Sequence, residues 1–247
     1  MTMRFSQGHQ GAPGAPPTVV RPFTENTAQW GAGFLMSTAT ELARFAQVVM
    51  AGGQGPSGSP ALPPGAVARL TTGHVPVPGL EATGSRYGYG LLAGRRGGWS
   101  TLQHGGSING FQSQVVMVPE RGFAVIVLAN RAGSQLQAVV DRAAQLALGE
   151  VPPPATAPAA RDATAAEIAS LVGRYAVGST SVEFLDRNGT LVFRQGAAEL
   201  PARLYGTSQV GITPPGANAP VLLATVVGPD GRVAYLHQGL RAIPRVP

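Results

Sequence analysis

The 247-residue sequence contains no cysteine and no lysine. Without cysteine, the chain can form neither a disulfide framework nor a thiolate metal site. All 18 basic residues are therefore arginines, and the formal net charge is +6. Only Arg95 and Arg96 are adjacent, and the other arginines are scattered. Because a nucleic-acid-binding face needs a clustered basic patch, we expect no nucleic-acid partner.

Long apolar runs and clusters of metal ligands are also missing. No run of about 18 apolar residues occurs, so the sequence predicts no transmembrane helix. The first residues lack the apolar core of a signal peptide, and an export signal is expected to lie upstream of them. His9, His74 and His237 each stand alone, and the 12 acidic residues are spread thinly. We therefore expect neither a metal nor another cofactor.

Helix signals are clear in the first 150 residues. Thr38 and Glu41 have the spacing of a capping box, in which each side chain satisfies a free backbone N–H of the first turn. Apolar residues follow at helical spacing until Gly52. Further helices are predicted at 64–72 and 134–148.

Strand patterns lie between these helices. Four strands, mostly antiparallel, are predicted at 87–93, 99–105, 111–118 and 122–130. The nearly continuous apolar run 123–128 is typical of a strand buried on both faces, so we expect it to be central. An antiparallel sheet with flanking helices is thus expected over residues 1–150.

The last third of the chain has a different pattern. Residues 151–163 are rich in proline and alanine and predict a semi-rigid linker. In the domain predicted over 164–247, Thr164 and Glu167 have capping-box spacing and begin a short helix through Val172. Short strands follow, with hairpin signals at Asn188-Gly189 and at Pro229-Asp230-Gly231. This pattern predicts a small all-β domain, either a sandwich or a barrel. The predicted fold class of the whole chain is therefore α+β.

The segment from Gln103 to Phe111 is the most informative for chemistry. His104 stands at a predicted strand end and is followed by Gly105 and Gly106. Small residues allow another group to approach the backbone, whose N–H groups can face a developing negative charge. The alternative is a glycine-rich hairpin turn beside a structural histidine.

The order of several segments supports the functional interpretation. Ordered along the chain, these segments are Trp30 to Phe34, Ser37 to Phe45, Tyr87 to Leu91, His104 to Gly106, Gly110 to Ser113 and Ala129 to Arg131. This succession resembles the second half of the β-lactamase-related serine hydrolases, which include class C β-lactamases, penicillin-binding proteins, D-aminopeptidases and esterases. The resemblance covers about residues 20–148, and residues 165–247 resemble a small β domain appended to some members.

The resemblance assigns roles to the glycine-rich segment. His104-Gly105-Gly106 matches the histidine version of the third family motif, which implies that His104 orients or polarises the substrate. Gly105 and Gly106 would then contact substrate, and the backbone N–H of Ser107 would contribute to the oxyanion hole. The side chain of Ser107 is not expected to be the nucleophile.

Two other family motifs are missing. Without lysine, the chain cannot contain the Ser-x-x-Lys pair in which the lysine activates the serine. The Tyr-x-Asn motif is also absent, because Tyr87 and Tyr89 are each followed by glycine. In family order both motifs precede Gly31, so we expect the chain to be the C-terminal, truncated portion of a β-lactamase-like domain.

Two hypotheses follow. The first is a serine acyl hydrolase acting on an ester, an amide or a D-amino-acid peptide, with this portion inactive alone and completed by an N-terminal segment of the same domain. The second is a non-catalytic relative acting as a binding or scaffold module. The resemblance implies a bacterial protein in the periplasm or outside the cell.

Overall fold

The computed structural model describes residues 6–11, 15–23, 27, 30–96, 98–149, 159–178, 180–217 and 219–247. They form two compact units, one within Met1–Val75 and Ser85–Pro154, the other within Pro76–Gly84 and Ala155–Pro247.

The described part of the first unit contains a six-stranded sheet and three α-helices. Its elements are β1 (His9–Gln10), β2 (Thr18–Val19), α1 (Ala39–Met50), α2 (Ala66–Thr71), β3 (Val75–Pro76, of which Val75 belongs to this unit), β4 (Arg86–Tyr87), β5 (Leu92–Arg96), β6 (Trp99–Ile108), β7 (Phe111–Val118), β8 (Phe123–Ala129) and α3 (Leu136–Leu148). The strands are ordered β3-β4-β5-β6-β7-β8, and β1 pairs with β2 in a separate small sheet.

Alternation along β7 divides the core of this unit into two layers. Met117 is fully buried in the cluster that α1 and α2 build on one face of the sheet. Its neighbour Val116 is buried on the opposite face, against Val140 of α3. Successive side chains of a strand point to opposite faces, so this one strand contributes to both layers.

The local helix signals are confirmed. Thr38 caps α1 and forms the expected capping box with Glu41. The helices predicted at 64–72 and 134–148 are present as α2 and α3, each with slightly shorter bounds.

Two strand predictions are wrong. The segment predicted as one strand, 87–93, is divided between β4 and β5, because Gly88 to Leu91 form a turn. The apolar run in β8 is not central: within the described part of the chain, β8 is an edge strand that pairs with β7 alone. Its side chains are apolar on both sides because helices cover both faces of the sheet. Burial of both faces does not determine whether a strand has hydrogen-bonding neighbours on both edges.

A short segment near the start of the chain packs against the end of this sheet. The N–H of His9 donates to the carbonyl of Asn130 at 2.9 Å and to that of Gly110 at 3.3 Å. The N–H of Ala132 donates to the His9 carbonyl at 2.9 Å. The approach is so close that a Cβ atom on Gly110 would lie 2.5 Å from the His9 nitrogen. Gly110 therefore serves both the turn it occupies and this contact.

The second unit is a β-barrel. Its elements are β9 (Ala160–Arg161), α4 (Ala165–Leu171), β10 (Gly173–Val177), β11 (Thr180–Arg187), β12 (Thr190–Gln195), β13 (Ala198–Tyr205), β14 (Gln209–Ile212), β15 (Val221–Val227), β16 (Val233–Gln238) and β17 (Arg241–Val246). Strands β10 to β17 close because β13 pairs with both β12 and β14. Asn188 and Gly189 have positive φ angles of 55° and 81°, which confirms that hairpin.

The barrel interior is filled by side chains. Tyr175 and Phe184 are fully buried, and their rings meet edge to face at 6.1 Å. The Tyr175 hydroxyl donates to the Leu171 carbonyl at 2.8 Å and accepts from Arg245 at 2.9 Å. Burial raises the pKa of the Tyr175 phenol above its ordinary value, and the neighbouring Arg245 opposes that change. This is a packed core with satisfied polar groups.

The predicted α+β class is wrong. The chain is mostly β, with 42 % strand, 20 % helix and a closed eight-stranded barrel. The prediction treated α1 and α3 as a complete helical layer, although these helices have only 12 and 13 residues. The short strands after residue 164 add more regular structure than the helices do. Most of the predicted linker, residues 151–158, lies outside the described residues, and Ala160–Arg161 form a strand on β13.

The close contact at Gly110 predicts an unequal effect of two glycine substitutions. Gly110 and Gly133 have nearly equal positive φ angles of 81° and 78°, but a Cβ atom on Gly133 would have no atom within 4 Å. Gly133→Ala should cost about 1 kcal/mol of unfolding free energy through backbone strain. Gly110→Ala should cost at least about 1 kcal/mol more, because the His9 segment must also move.

Urea unfolding followed by tryptophan fluorescence measures this difference in the first unit, since both tryptophans, Trp30 and Trp99, belong to it. Equal midpoints for the two variants would show that the packing at Gly110 is not as described.

Acid should weaken the start of the barrel unit through Glu167. Hydrogen bonds from Arg161 and from the Thr164 backbone lower the pKa of Glu167 from 4.5 to about 2. A lowered folded-state pKa stabilises the fold above pH 4.5, and this contribution is lost as the pH falls towards 2. Glu167→Gln should remove about 1 kcal/mol at neutral pH and flatten the acid dependence.

Far-UV circular dichroism during urea unfolding between pH 6 and pH 2.5 tests this effect. Asp162→Asn is the control, since its side chain is 91 % exposed and its ion pair with Arg203 is therefore screened by solvent. An acid dependence unchanged by Glu167→Gln would contradict the assignment.

Candidate functional site

The glycine-rich segment lies inside a strand rather than between two strands. β6 was predicted to end at 105, but it continues to Ile108, and the two-residue turn Asn109-Gly110 joins it to β7. Both turn residues have positive φ angles, 49° and 81°, as a type I′ turn requires. The expected turn therefore exists, three residues beyond Gly106.

This turn determines which backbone groups of β6 face β7. In a two-residue hairpin, the flanking residues Ile108 and Phe111 exchange both hydrogen bonds, and bonded residues then alternate along the strand. His104 and Gly106 are therefore bonded to β7, paired with Val115 and Ser113. The N–H and C=O groups of Gly105 and Ser107 point to the other side of β6.

On that other side the edge of β6 is open. β5 pairs with β6 only as far as Gln103, opposite Leu92. Within the described residues, no strand continues beside 104–108 on this side. Gly105, Gly106 and Ser107 are all exposed. The strand thus presents two backbone N–H groups, those of Gly105 and Ser107, to any group that approaches its edge.

The two glycines leave room for side chains of β7. A Cβ atom on Gly105 would lie 2.5 Å from Oε1 of Gln114, and one on Gly106 would lie 2.8 Å from Oγ of Ser113. The side chains that use this space come from β7. Ser113, which is half-buried, pairs with Gly106 and therefore lies on the same face of the sheet as His104.

His104 has a partner that sequence reasoning missed. Its Nε2 atom is 3.0 Å from the hydroxyl of Tyr87, and the two ring centroids are 5.9 Å apart. In the sequence, Tyr87 is the first residue of the family-like segment Tyr87 to Leu91 and a mismatch to the Tyr-x-Asn motif, and neither feature predicts a contact with His104. Tyr87 lies 17 residues before His104 and two strands away, so no local pattern could have found the contact.

The remaining histidines lie elsewhere. His9 contacts the turn end of the β6–β7 hairpin through its backbone, and His74 packs edge to face on Tyr89 at 5.0 Å. His237 belongs to β16 of the barrel. Within the described residues, no group of three or more potential metal ligands occurs, and no helix is long and apolar enough to cross a membrane.

The open edge predicts an alternating pattern of amide exchange. The amides of Gly105 and Ser107 should exchange with deuterium quickly, while those of His104, Gly106 and Ile108 should be protected by β7. Thr101 and Gln103 are the matched controls, because the same side of β6 is covered by β5 there. Exchange followed by NMR measures all of these amides. Protection of Gly105 and Ser107 equal to that of Thr101 would show that the edge is covered.

The chain matches one family model and is similar in fold to several solved structures. The family model described as Beta-lactamase matches residues 2–150. No curated protein matches the chain significantly.

Three solved structures have related folds. A crystal structure of SurE superimposes with a TM-score of 0.75 at 22 % identity, covering 98 % of this chain and 56 % of that one. A structure of SurE with D-Leu gives 0.64 at 24 % identity, covering 85 % and 50 %. The octameric penicillin-binding protein homologue from Pyrococcus abyssi gives 0.51 at 18 % identity, covering 96 % and 52 %.

The chain therefore spans about half the length of these three structures. At these identities the structures show a shared fold and nothing more. The family model covers more than half of the chain, and its region includes the β6 hairpin with His104. The chain belongs to the Beta-lactamase family, a group within the serine hydrolase superfamily.

Proposed function

We propose that this chain provides one side of the acyl-transfer site of a serine hydrolase. The observation that carries the proposal is the open edge of β6, where the backbone N–H of Ser107 faces outward three residues from His104. An ester, an amide or a D-amino-acid peptide laid along this edge would bring its carbonyl group to these donors. No metal or other cofactor is required for such a reaction.

The outward N–H groups suit the chemistry of acyl transfer. Attack on a carbonyl carbon places negative charge on its oxygen, and fixed N–H donors stabilise that charge more than they stabilise the substrate. The Ser107 N–H would donate to the oxyanion, and its side chain has no role in this scheme. Gly105 and Gly106 would lie along the substrate, and His104 would orient or polarise it.

The nucleophile has to come from a further segment. Acylation needs an activated serine, and a chain without lysine cannot supply a Ser-x-x-Lys pair. We propose that a helical segment with this pair, continuous with the chain or carried by another polypeptide, completes the site. The isolated 247-residue chain is accordingly proposed to be inactive.

Exposed apolar side chains support the presence of such a segment. Leu35 and Met36, shortly before α1, are 83 % and 51 % exposed, and Trp30, earlier in the same connection, is 56 % exposed. Large apolar side chains grouped on a surface usually mark a binding site. The outer edge of β8, unpaired within the described residues and free of charged residues, is a second place where further chain could add.

The first substrates to test contain D-amino acids. One of the structures that share this fold, that of SurE, contains D-Leu. The likeness shows the fold alone, so this choice of substrate class is part of the proposal. Because family members of this type act outside the cytoplasm, a periplasmic or extracellular location is proposed with it.

The second candidate is a non-catalytic binding or scaffold module. The open edge of β8 favours it, since an exposed strand edge can accept a strand from a partner. In this case no serine would become activated anywhere in the assembly. Active-site labelling separates the two candidates.

The test labels the assembly in which the chain occurs in its source cell. A tagged chain, purified with everything attached to it, is treated with a fluorophosphonate, and the modified residue is mapped by peptide mass spectrometry. We expect the adduct on the serine of a Ser-x-x-Lys segment. His104→Gln should slow labelling at least about tenfold, because the probe's oxygen loses its positioned partner.

The matched control is His237→Gln, which changes a histidine of the barrel and should leave the labelling rate unchanged. An assembly without any labelled Ser-x-x-Lys serine would contradict the hydrolase proposal and support the binding module.

A further inference from the structure

We propose that Tyr87 is a positioning residue that holds His104 as the neutral tautomer with its proton on Nδ1. The inference rests on the proposed function, in which His104 contacts the substrate. It adds that His104 acts there as a hydrogen-bond donor rather than as a general base. The juxtaposition of the Tyr87 hydroxyl and His104 Nε2, at 3.0 Å, carries the argument.

The direction of this hydrogen bond follows from the acidity of the two groups. A phenol O–H is a stronger acid than the N–H of a neutral imidazole, and the bare imidazole nitrogen is a stronger base than a phenol oxygen. Donation from Tyr87 to Nε2 is therefore the more stable arrangement. A neutral imidazole carries one proton, so Nε2 as acceptor places that proton on Nδ1.

The backbone on both sides of Tyr87 is fixed, which keeps the hydroxyl in place. The His74 N–H donates to the Tyr87 carbonyl at 2.9 Å, and the Gly88 N–H donates to the Leu91 carbonyl at 2.8 Å. A Cβ atom on Gly88 would lie 2.5 Å from the carbonyl oxygen of Thr72, at the end of α2. A residue held in this way can orient its partner without rearrangement during the reaction.

The chemical consequence concerns the role of His104. A histidine whose Nε2 accepts the tyrosine O–H does not offer this nitrogen to a proton of the substrate, and the Nδ1–H of the neutral ring is a donor. A neutral imidazole that donates to a carbonyl oxygen polarises it without transferring a proton in the ground state. This role agrees with an activating base located on the segment that carries the nucleophile.

Histidine ¹⁵N NMR of the 247-residue chain, above the pH at which imidazoles titrate, tests the tautomer directly. In the wild type, His104 should show a protonated Nδ1 and an unprotonated Nε2. Tyr87→Phe should shift His104 towards the Nε2–H tautomer. The control Tyr89→Phe, which changes a tyrosine that is 67 % exposed and packed on His74, should leave His104 unchanged.

Two results would overturn the inference: a protonated Nε2 in the wild-type chain, or a His104 spectrum that Tyr87→Phe does not alter. The urea midpoint of Tyr87→Phe, followed by tryptophan fluorescence, should equal that of the wild type. A change in the His104 spectrum then does not result from loss of structure. In the labelled assembly, Tyr87→Phe should slow fluorophosphonate labelling about tenfold, the effect expected when a partner that orients a functional histidine is removed.

The tautomer measurement does not need an active enzyme. If the expected tautomer is found but no serine of the assembly is labelled, the proposed function fails while the Tyr87–His104 arrangement stands. If labelling occurs but the proton is on Nε2, the positioning role fails while the proposed function stands.

Discussion

The two-residue turn at Asn109-Gly110 determines the geometry of the candidate site. It sets which residues of β6 form hydrogen bonds with β7, and the N–H groups of Gly105 and Ser107 face outward as a result. A shift of one residue would turn His104 to the opposite face and direct the amide of Gly106 outward instead. The same turn receives the His9 segment, whose close approach only a glycine at 110 permits.

The open edge also depends on the different lengths of neighbouring strands. β6 has 10 residues and β5 has 5, so β6 extends beyond its neighbour by the segment that carries His104 and the two glycines. This overhang explains how a regular strand, paired on one side with β7, can have outward-facing backbone donors that no other described strand contacts. A loop could present the same donors, but a strand held by β7 keeps them in fixed positions before any substrate binds.

Features that depend on neighbouring residues were predictable from the sequence, and features that depend on distant pairing were not. The capping boxes at Thr38 and Thr164 and the hairpin at Asn188-Gly189 each follow from residues within one turn. The edge position of β8 and the closure of the barrel depend on which strands meet, and side-chain patterns do not specify this. Tyr87 was quoted as part of a family segment, yet its bond to His104 required the fold.

The proposed function divides the family chemistry between this chain and a further segment. His104 and its hydrogen-bonded partner Tyr87 lie beside the open edge of β6, and the 247-residue sequence contains no lysine and therefore no Ser-x-x-Lys pair. Substrate binding and charge stabilisation are therefore proposed for this chain, and nucleophilic attack is proposed for a further segment.

The central claim is that these 247 residues contain no activated serine. The most direct measurement is the intact mass of the isolated chain after treatment with a fluorophosphonate. The account predicts an unchanged mass. A stoichiometric adduct, whether on Ser107, Ser113 or another serine, would contradict it and would require a catalytic arrangement within this chain.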